Sequence, residues 1–115
     1  MKKISLLLIL ISTLLLFYSC EKAESEAEYK YEVTGTSGNY SVTIENSDED
    51  TQQWSSVGNG WWYKWTQTGE RWLYVSAQNN NSTGNVTVKI IRDGKVLKEN
   101  TSYGGYSIAT ASGTY

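Results

Sequence analysis

The sequence predicts an all-β protein, a small antiparallel β-sandwich of seven to eight strands with an immunoglobulin-like architecture. From Tyr29 onward apolar residues recur at every second position, which is the period of a half-buried strand. Clusters of Gly, Asn, Asp and Ser interrupt this alternation at intervals of about 8–12 residues. The chain of 115 residues therefore divides into a leader of residues 1–19, a linker of residues 20–28 and one β-domain of residues 29–115.

The first strands are predicted from clear alternation. Tyr, Val and Ile occupy every second position of residues 29–33 and 40–44, and residues 36–39 have turn chemistry, so the two runs predict a hairpin. A weaker strand is predicted over residues 52–57, after the polar and acidic turn of residues 46–50.

The second half of the domain continues the pattern. Thr68-Gly69 predicts a turn, and Asp93-Gly94 predicts a two-residue hairpin turn, because both positions favour positive φ. Gly104-Gly105 marks the last turn. The predicted strands of this half are residues 61–66, 72–77, 86–90, 95–100 and 106–110.

Composition excludes several classes of function. The chain has 10 Lys and Arg, 12 Asp and Glu, one Cys and no His, with a formal net charge of −2. A nucleic-acid partner is not expected, because binding to phosphates needs a basic field. Without His there are no His metal sites, Ser-His-Asp triads or Cys-His pairs, and a lone Cys forms no internal disulfide. We therefore expect a protein that is not an enzyme and that uses no metal and no cofactor.

The first twenty residues have the pattern of an export signal. Two lysines precede an almost wholly apolar run, residues 4–18. As a helix this run spans roughly 22 Å, less than the hydrocarbon core of about 30 Å, which is typical of a signal peptide. Ser19 and Cys20 follow, and the arrangement resembles the lipobox of bacterial lipoproteins. The resemblance implies a lipoprotein signal peptide of residues 1–19 and a Cys20 that carries a diacylglyceryl group and usually an N-acyl chain such as palmitate, which anchors the protein to a membrane.

The linker after Cys20 is acidic. Glu alternates with small or polar residues over residues 21–28, so the segment has no large apolar face to bury and predicts a solvated tether. An acidic stretch at this place also resembles the surface-export signal of Bacteroidota lipoproteins, with a plain spacer as the alternative. We expect a lipoprotein of the bacterial cell envelope, at the outer membrane or cell surface rather than the inner membrane. An ordinary secreted Cys or a short membrane anchor stays open at residue 20.

Five tryptophans, at positions 54, 61, 62, 65 and 72, are the most unusual feature of the domain. Trp61 and Trp62 are adjacent, so on a strand their side chains point to opposite faces, and one is exposed or covered by a loop, the membrane or a partner. A domain this small needs most of its large apolar side chains inside, so we expect Trp61, Trp65 and Trp72 in the core. Trp62, with Tyr63 as second choice, is the candidate exposed contact for a ligand or partner.

The acidic turns offer little chemistry. Asn46, Asp48 and Asp50 alternate like the start of a calcium loop, but an EF-hand needs Gly and Glu where Thr51 and Val57 stand. We expect a solvated turn, with a loose Ca²⁺ contact as the alternative. Catalysis by paired carboxylates needs two acids that flank a cleft, and most acids here lie in the linker and turns.

The order of the segments carries a family resemblance. The matching segments are Tyr31-Glu32-Val33-Thr34-Gly35, Val42-Thr43-Ile44-Glu45-Asn46, Thr51-Gln52-Gln53, the Trp-rich strand, Val75-Ser76-Ala77-Gln78, Val86-Thr87-Val88-Lys89-Ile90, Asp93-Gly94-Lys95-Val96, Glu99-Asn100 and Gly105-Tyr106. Together they resemble the MmpS family of small envelope proteins, which have a membrane anchor and an extracytoplasmic β-sandwich. The resemblance implies an accessory role beside a large RND-type (MmpL) lipid exporter. The chain departs from the family in lacking its usual Cys pair and in the predicted lipid anchor at Cys20.

Together these features predict a non-enzymatic, membrane-anchored envelope lipoprotein that acts by contact, as a binding or accessory subunit of an envelope transport complex. Confinement to a membrane raises the local concentration of partners, so weak contacts suffice. The alternative is a carbohydrate- or lipid-binding surface module that uses exposed Trp or Tyr side chains. A structural or immune-facing surface antigen is a third possibility on which the sequence is silent.

Overall fold

Eight β-strands and no helix make up the part of the chain that the structure, a computed structural model, describes, which is residues 25–115. The strands are β1 (Glu26–Gly35), β2 (Tyr40–Glu45), β3 (Thr51–Val57), β4 (Trp61–Thr68), β5 (Trp72–Asn79), β6 (Asn85–Arg92), β7 (Lys95–Tyr103) and β8 (Ile108–Thr114). Within residues 25–115 no helix is long and apolar enough to cross a membrane.

The strands form two antiparallel sheets of four strands each. Sheet I has the order β4-β1-β6-β7, and sheet II has the order β3-β2-β5-β8. The two sheets pack face to face, and the residues buried between them come from both. The predicted fold class, a small antiparallel β-sandwich, is confirmed.

The predicted hairpin of the first two strands is wrong. β1 pairs with β4 and β6, whereas β2 pairs with β3 and β5, so residues 36–39 cross from one sheet to the other. The alternation itself was read correctly, because Tyr31 of β1 and Val42 of β2 are both buried. Turn chemistry shows where a strand ends, but it does not show whether the next strand pairs with it or faces it across the core.

The core has an aromatic side and an aliphatic side. On the aromatic side, Trp65 of β4 packs against Tyr29 and Tyr31 of β1 at ring-centroid distances of 5.6 and 4.6 Å. Trp54 and Trp61 extend this group, with their rings 4.8 Å apart. The aliphatic side lies between β6, β5 and β8 and consists of Val75, Ala77, Val86, Val88, Ile90, Ala109 and Ala111.

Some strand limits differ from the predicted ones. β1 begins at Glu26, within the predicted acidic linker, and the small side chain of Ala27 is buried there. β8 begins at Ile108, two residues later than predicted, and extends to Thr114. The hairpin turn at Asp93-Gly94 is confirmed, with φ values of 47° and 81°.

Candidate functional site

The predicted site residues differ in whether the structure describes them and in how exposed they are. Cys20, the leader of residues 1–19 and the first half of the linker lie outside the described residues, so lipidation stays a prediction. Trp62 is 56% exposed on the edge strand β4, with the Lys64 ammonium 5.3 Å from its ring centroid. The Trp62 ring is therefore presented to solvent within a charged strip.

Tyr63 has a different environment from Trp62. It is half-buried, its ring stacks 6.3 Å from that of Tyr31, and its hydroxyl contacts the hydroxyl of Ser47 at 3.0 Å. Of the two predicted contact residues, only Trp62 presents its ring to solvent.

The expectation that Trp72 lies in the core is wrong, because Trp72 is 51% exposed. It alternates with the buried Leu73 and Val75, so it points to the outer face of sheet II. The alternation along β5 indicates this exposure, whereas the need of a small domain to bury its large apolar side chains led to the wrong expectation.

The two ends of the sandwich differ in charge. The proximal end, where the described chain enters, consists of the loops 46–50, 69–71 and 93–94 with the two ends of the described chain; its loops contain three Asp, two Glu and one Arg. The opposite end consists of four loops that we call the distal loop surface, residues 36–39, 58–60, 80–84 and 104–107. These four loops contain Asn, Ser, Thr, Gly and Tyr and no charged residue.

Hydrogen bonds between the distal loops hold them together as one surface. The Asn80 amide nitrogen donates to the Asn39 carbonyl at 3.1 Å, and the Tyr106 amide nitrogen donates to the Asn81 carbonyl at 3.1 Å. The Gly104 amide nitrogen donates to the Gly84 carbonyl at 2.7 Å. These bonds connect three of the four loops, so the surface is preorganised.

Asn79 is fully buried beneath these loops and supports them. Its side-chain nitrogen donates to the carbonyls of Thr83 and Gly104 at 2.9 and 3.1 Å. Its side-chain oxygen accepts from the backbone nitrogen of Asn81 at 3.1 Å. One amide therefore positions parts of two loops from below.

At the proximal end the polar groups mainly shape the loops. Asn46 was a candidate calcium ligand, but its side-chain oxygen accepts from the backbone nitrogens of Asp48 and Asp50 at 2.9 and 3.0 Å. Arg71 donates to the carbonyls of Ser47 and Asn46 at 2.8 and 3.0 Å. Among residues 25–115 no group of three or more acidic or Cys side chains is arranged to hold a metal ion.

Tyr31, whose hydroxyl also lies at the proximal side, has a shifted pKa. Burial raises the pKa of Tyr31 to about 12. The Tyr31 hydroxyl donates to the Glu45 carbonyl at 2.8 Å and accepts from the backbone nitrogen of Tyr74 at 3.2 Å. This hydroxyl therefore links sheet I to sheet II.

The distal loop surface offers neutral hydrogen-bond donors and acceptors beside the exposed rings of Tyr103 and Tyr106. Such a surface recognises a partner by hydrogen bonding and aromatic contact. This surface was not predicted from the sequence, although the lack of charge in every second turn was a usable signal. Comparison with known proteins finds no matching family model and no curated protein with significant sequence similarity.

Proposed function

We propose that the protein is a non-enzymatic, lipid-anchored protein of the bacterial envelope that acts by binding another envelope protein through its distal loop surface. In this proposal Cys20 carries the lipid, the acidic linker is the tether, and the partner belongs to a transport complex. The resemblance to the MmpS family supports the transport complex as the place of action.

The segregation of charge between the two ends is the observation that carries this proposal. Charged residues are depleted at the centres of protein interfaces, and Tyr, Ser, Gly and Asn are the residues that antibody loops use to bind proteins. The distal loop surface has this composition throughout, whereas the proximal loops hold all six charged residues of the loops that connect β1 to β8.

The path of the chain supports the same orientation. Ser25 lies at the proximal end, so a lipid at Cys20 tethers the proximal end to the membrane. The distal loop surface then lies on the side of the sandwich away from the tether. Because the loops are preorganised, binding costs little ordering entropy.

The alternative, a ligand site on the exposed Trp62, has less support. Trp62 pairs with Glu32 of β1 in the sheet register, and the Lys64 ammonium lies 5.3 Å from its ring centroid, so a charged group covers part of the ring. A sugar or acyl chain that stacked on this ring would displace Lys64 from its cation–π contact.

A cross-linking experiment in cells tests the proposal. Ser82→Lys places a charge on the distal loop surface, and Asp48→Lys is the matched control in an exposed proximal loop. We expect the wild type and Asp48→Lys to enrich the same envelope protein and Ser82→Lys to lose it. Equal enrichment by all three variants would contradict the proposed surface.

The lipid anchor is tested separately. Mass spectrometry of the mature N-terminus should show an acylated Cys20, and Cys20→Ser should move the protein from the membrane fraction to the soluble fraction. An unmodified thiol in the mature wild-type protein would overturn the anchoring part of the proposal.

A further inference from the structure

We infer that a depression on the outer face of sheet II, between β2 and β3, binds a neutral oligosaccharide. This inference concerns the outer face of sheet II, which borders the distal loop surface at Asn39 and Asn80, and it does not rest on the proposed protein partner.

The strands of sheet II are almost free of charge. Glu45 is the only charged residue in its four strands, whereas each strand of sheet I contains at least one Lys. The outer face of sheet II instead presents hydroxyl and carboxamide groups. They belong to Ser41, Thr43, Gln53, Ser55, Ser76, Gln78, Thr110 and Ser112.

The depression has the size of a ligand site. Its volume is about 420 Å³, and it is lined by Ser41, Val42, Thr43, Gln53, Trp54 and Ser55. Small-molecule sites commonly measure about 300–1,000 Å³. The side chains that face outward here are the hydroxyls of Ser41, Thr43 and Ser55 and the carboxamide of Gln53, whereas Val42 and the Trp54 indole face the core. Hydroxyl and carboxamide groups match the hydroxyls of a sugar by hydrogen bonding.

A β-bulge shapes this depression. Tyr40 pairs with Val57 but Val42 pairs with Trp54, so β3 holds one extra residue there. Bulges are frequent beside functional sites because they redirect side chains. At this bulge the Ser55 carbonyl accepts from the Ser41 hydroxyl at 3.0 Å and from the Asn80 side chain at 3.4 Å.

The neighbouring Asn80 and Asn39 make the depression rigid. The Asn80 side chain donates to the Ser41 hydroxyl at 2.9 Å and to the Asn39 side-chain oxygen at 3.1 Å. Asn39 has a φ of 120°, a conformation that non-glycine residues adopt rarely and that clusters at functional sites. The polar groups of the site are therefore held in place before any ligand arrives.

The polar side chains on the outer face of sheet II form a row that continues beyond the depression. Ser41 pairs with Gln78, and Gln78 pairs with Ile108 on the edge strand β8. Tyr106, in the loop that precedes β8, is 62% exposed. Four adjacent strands span about 14 Å, which is long enough for more than one sugar ring. The Gln78 side chain donates to the Tyr106 carbonyl at 3.0 Å, so the row and the aromatic residue are connected.

Charge decides between a sugar and other ligands. The residues that line the depression include no Lys or Arg, so an anion such as a phosphate has no cation to bind. They also include no carboxylate to bind a cation. A neutral, hydroxyl-rich molecule is the ligand whose chemistry matches this set.

Titration with defined oligosaccharides, followed by backbone-amide NMR of the mature domain, tests the inference. The probes are maltotetraose, cellotetraose and chitotetraose, with tetragalacturonate as the charged comparison. We expect at least one neutral probe to shift the amides of residues 41–43, 53–55 and 78, and the charged probe to bind more weakly or not at all.

Variants localise the binding. Gln53→Ala removes an exposed carboxamide at the depression and should weaken the binding of that probe about fivefold to tenfold, as expected for one neutral hydrogen bond. Thr66→Ala, an exposed residue of β4 on sheet I, is the matched control and should bind as the wild type does.

Three results would overturn the inference. They are no amide shifts with any neutral probe at millimolar concentration, shifts confined to other parts of the domain, and a Gln53→Ala variant that binds like the wild type. None of these results bears on the cross-linking of the distal loops, so this inference and the proposed protein partner fail independently.

Discussion

The two ends of the sandwich are held together by different groups. Each end has a fully buried tyrosine. At the proximal end Tyr31 reaches from sheet I to the backbone of Glu45 and Tyr74 in sheet II. At the distal end the Tyr40 hydroxyl donates to the Ser37 carbonyl, only three residues away, beside Gly35.

The difference lies in the groups that make the contacts, because contacts at both ends join segments that are distant in the sequence. The proximal contacts of Tyr31 and Arg71 join segments 14 to 43 residues apart and include a cationic side chain. At the distal end, neutral amides and hydroxyls hold the loops, and the Asn79 side chain reaches the Gly104 carbonyl, 25 residues away. The proximal end therefore depends on a cation as well as on neutral groups, whereas the described distal contacts use neutral groups.

The largest expected effect is that of Trp65→Ala on the aromatic side of the core. Trp65 contacts Tyr29, Tyr31 and Tyr63, and its indole nitrogen donates to the Gln67 side chain at 2.8 Å. Truncation should lower the free energy of unfolding by about 3–5 kcal/mol, measured by urea denaturation. A loss below about 1 kcal/mol would show that the aromatic side does not dominate stability.

The next effect tests the distal end. Asn79→Ala removes the amide beneath the loops and leaves the Thr83 and Gly104 carbonyls without their buried donor. We expect a loss of about 1–3 kcal/mol and faster hydrogen exchange confined to residues 80–84 and 104–107. Exchange that increased equally at both ends would contradict the independence of the two ends.

Much of the fold follows from local sequence pattern. The alternation of apolar residues located all eight strands within a few residues, and Asp93-Gly94 predicted a hairpin turn that forms. Charge placed the acidic turn of residues 46–50 correctly between two strands. These features depend on neighbouring residues, which a sequence displays directly.

The wrong hairpin and the missed depression concern contacts between distant residues, unlike the error at Trp72. β4 and β6 pair with the two sides of β1, so β2 cannot pair with it. Residues 36–39 therefore connect strands of two facing sheets and not two paired strands. The depression on sheet II depends in the same way on a bulge in β3 and on Asn80, some twenty-five residues away. The local pattern of the sequence does not show which distant residues come into contact.

A third prediction uses the pKa of Tyr31. Burial raises this pKa from 10.0 to about 12, so between these values the unfolded chain loses the phenol proton while the folded protein keeps it. The free energy of unfolding should therefore fall as pH rises from 10 to 12, and the contribution is fully present below pH 10. Urea denaturation at several alkaline pH values measures the slope.

Tyr31→Phe is the control for that slope. It removes the hydroxyl and its bonds to Glu45 and Tyr74, so at pH 8 it should lower the free energy of unfolding by about 1–2 kcal/mol. From pH 10 to 12 its stability should fall less steeply than that of the wild type, because one titrating group is gone. Parallel slopes would mean that Tyr31 does not resist ionisation in the folded state.

The smallest effect separates the charged sheet from the neutral one. Glu32 lies between Lys30 and Lys89 on the outer face of sheet I, with nitrogen-to-oxygen distances of 3.2 and 3.8 Å. Glu32→Gln removes the carboxylate that contacts both lysines, yet the groups are near water, so the loss should be roughly 1 kcal/mol or less. The loss should shrink as salt is raised to 1 M, because salt screens exposed charges.

Thr43→Ser on the outer face of sheet II is the matched control, because no charged group takes part in its change. Its effect on the free energy of unfolding should be the same at low and high salt. A salt-independent effect of Glu32→Gln would mean that hydrogen-bond geometry, and not charge, is what the outer face of sheet I contributes.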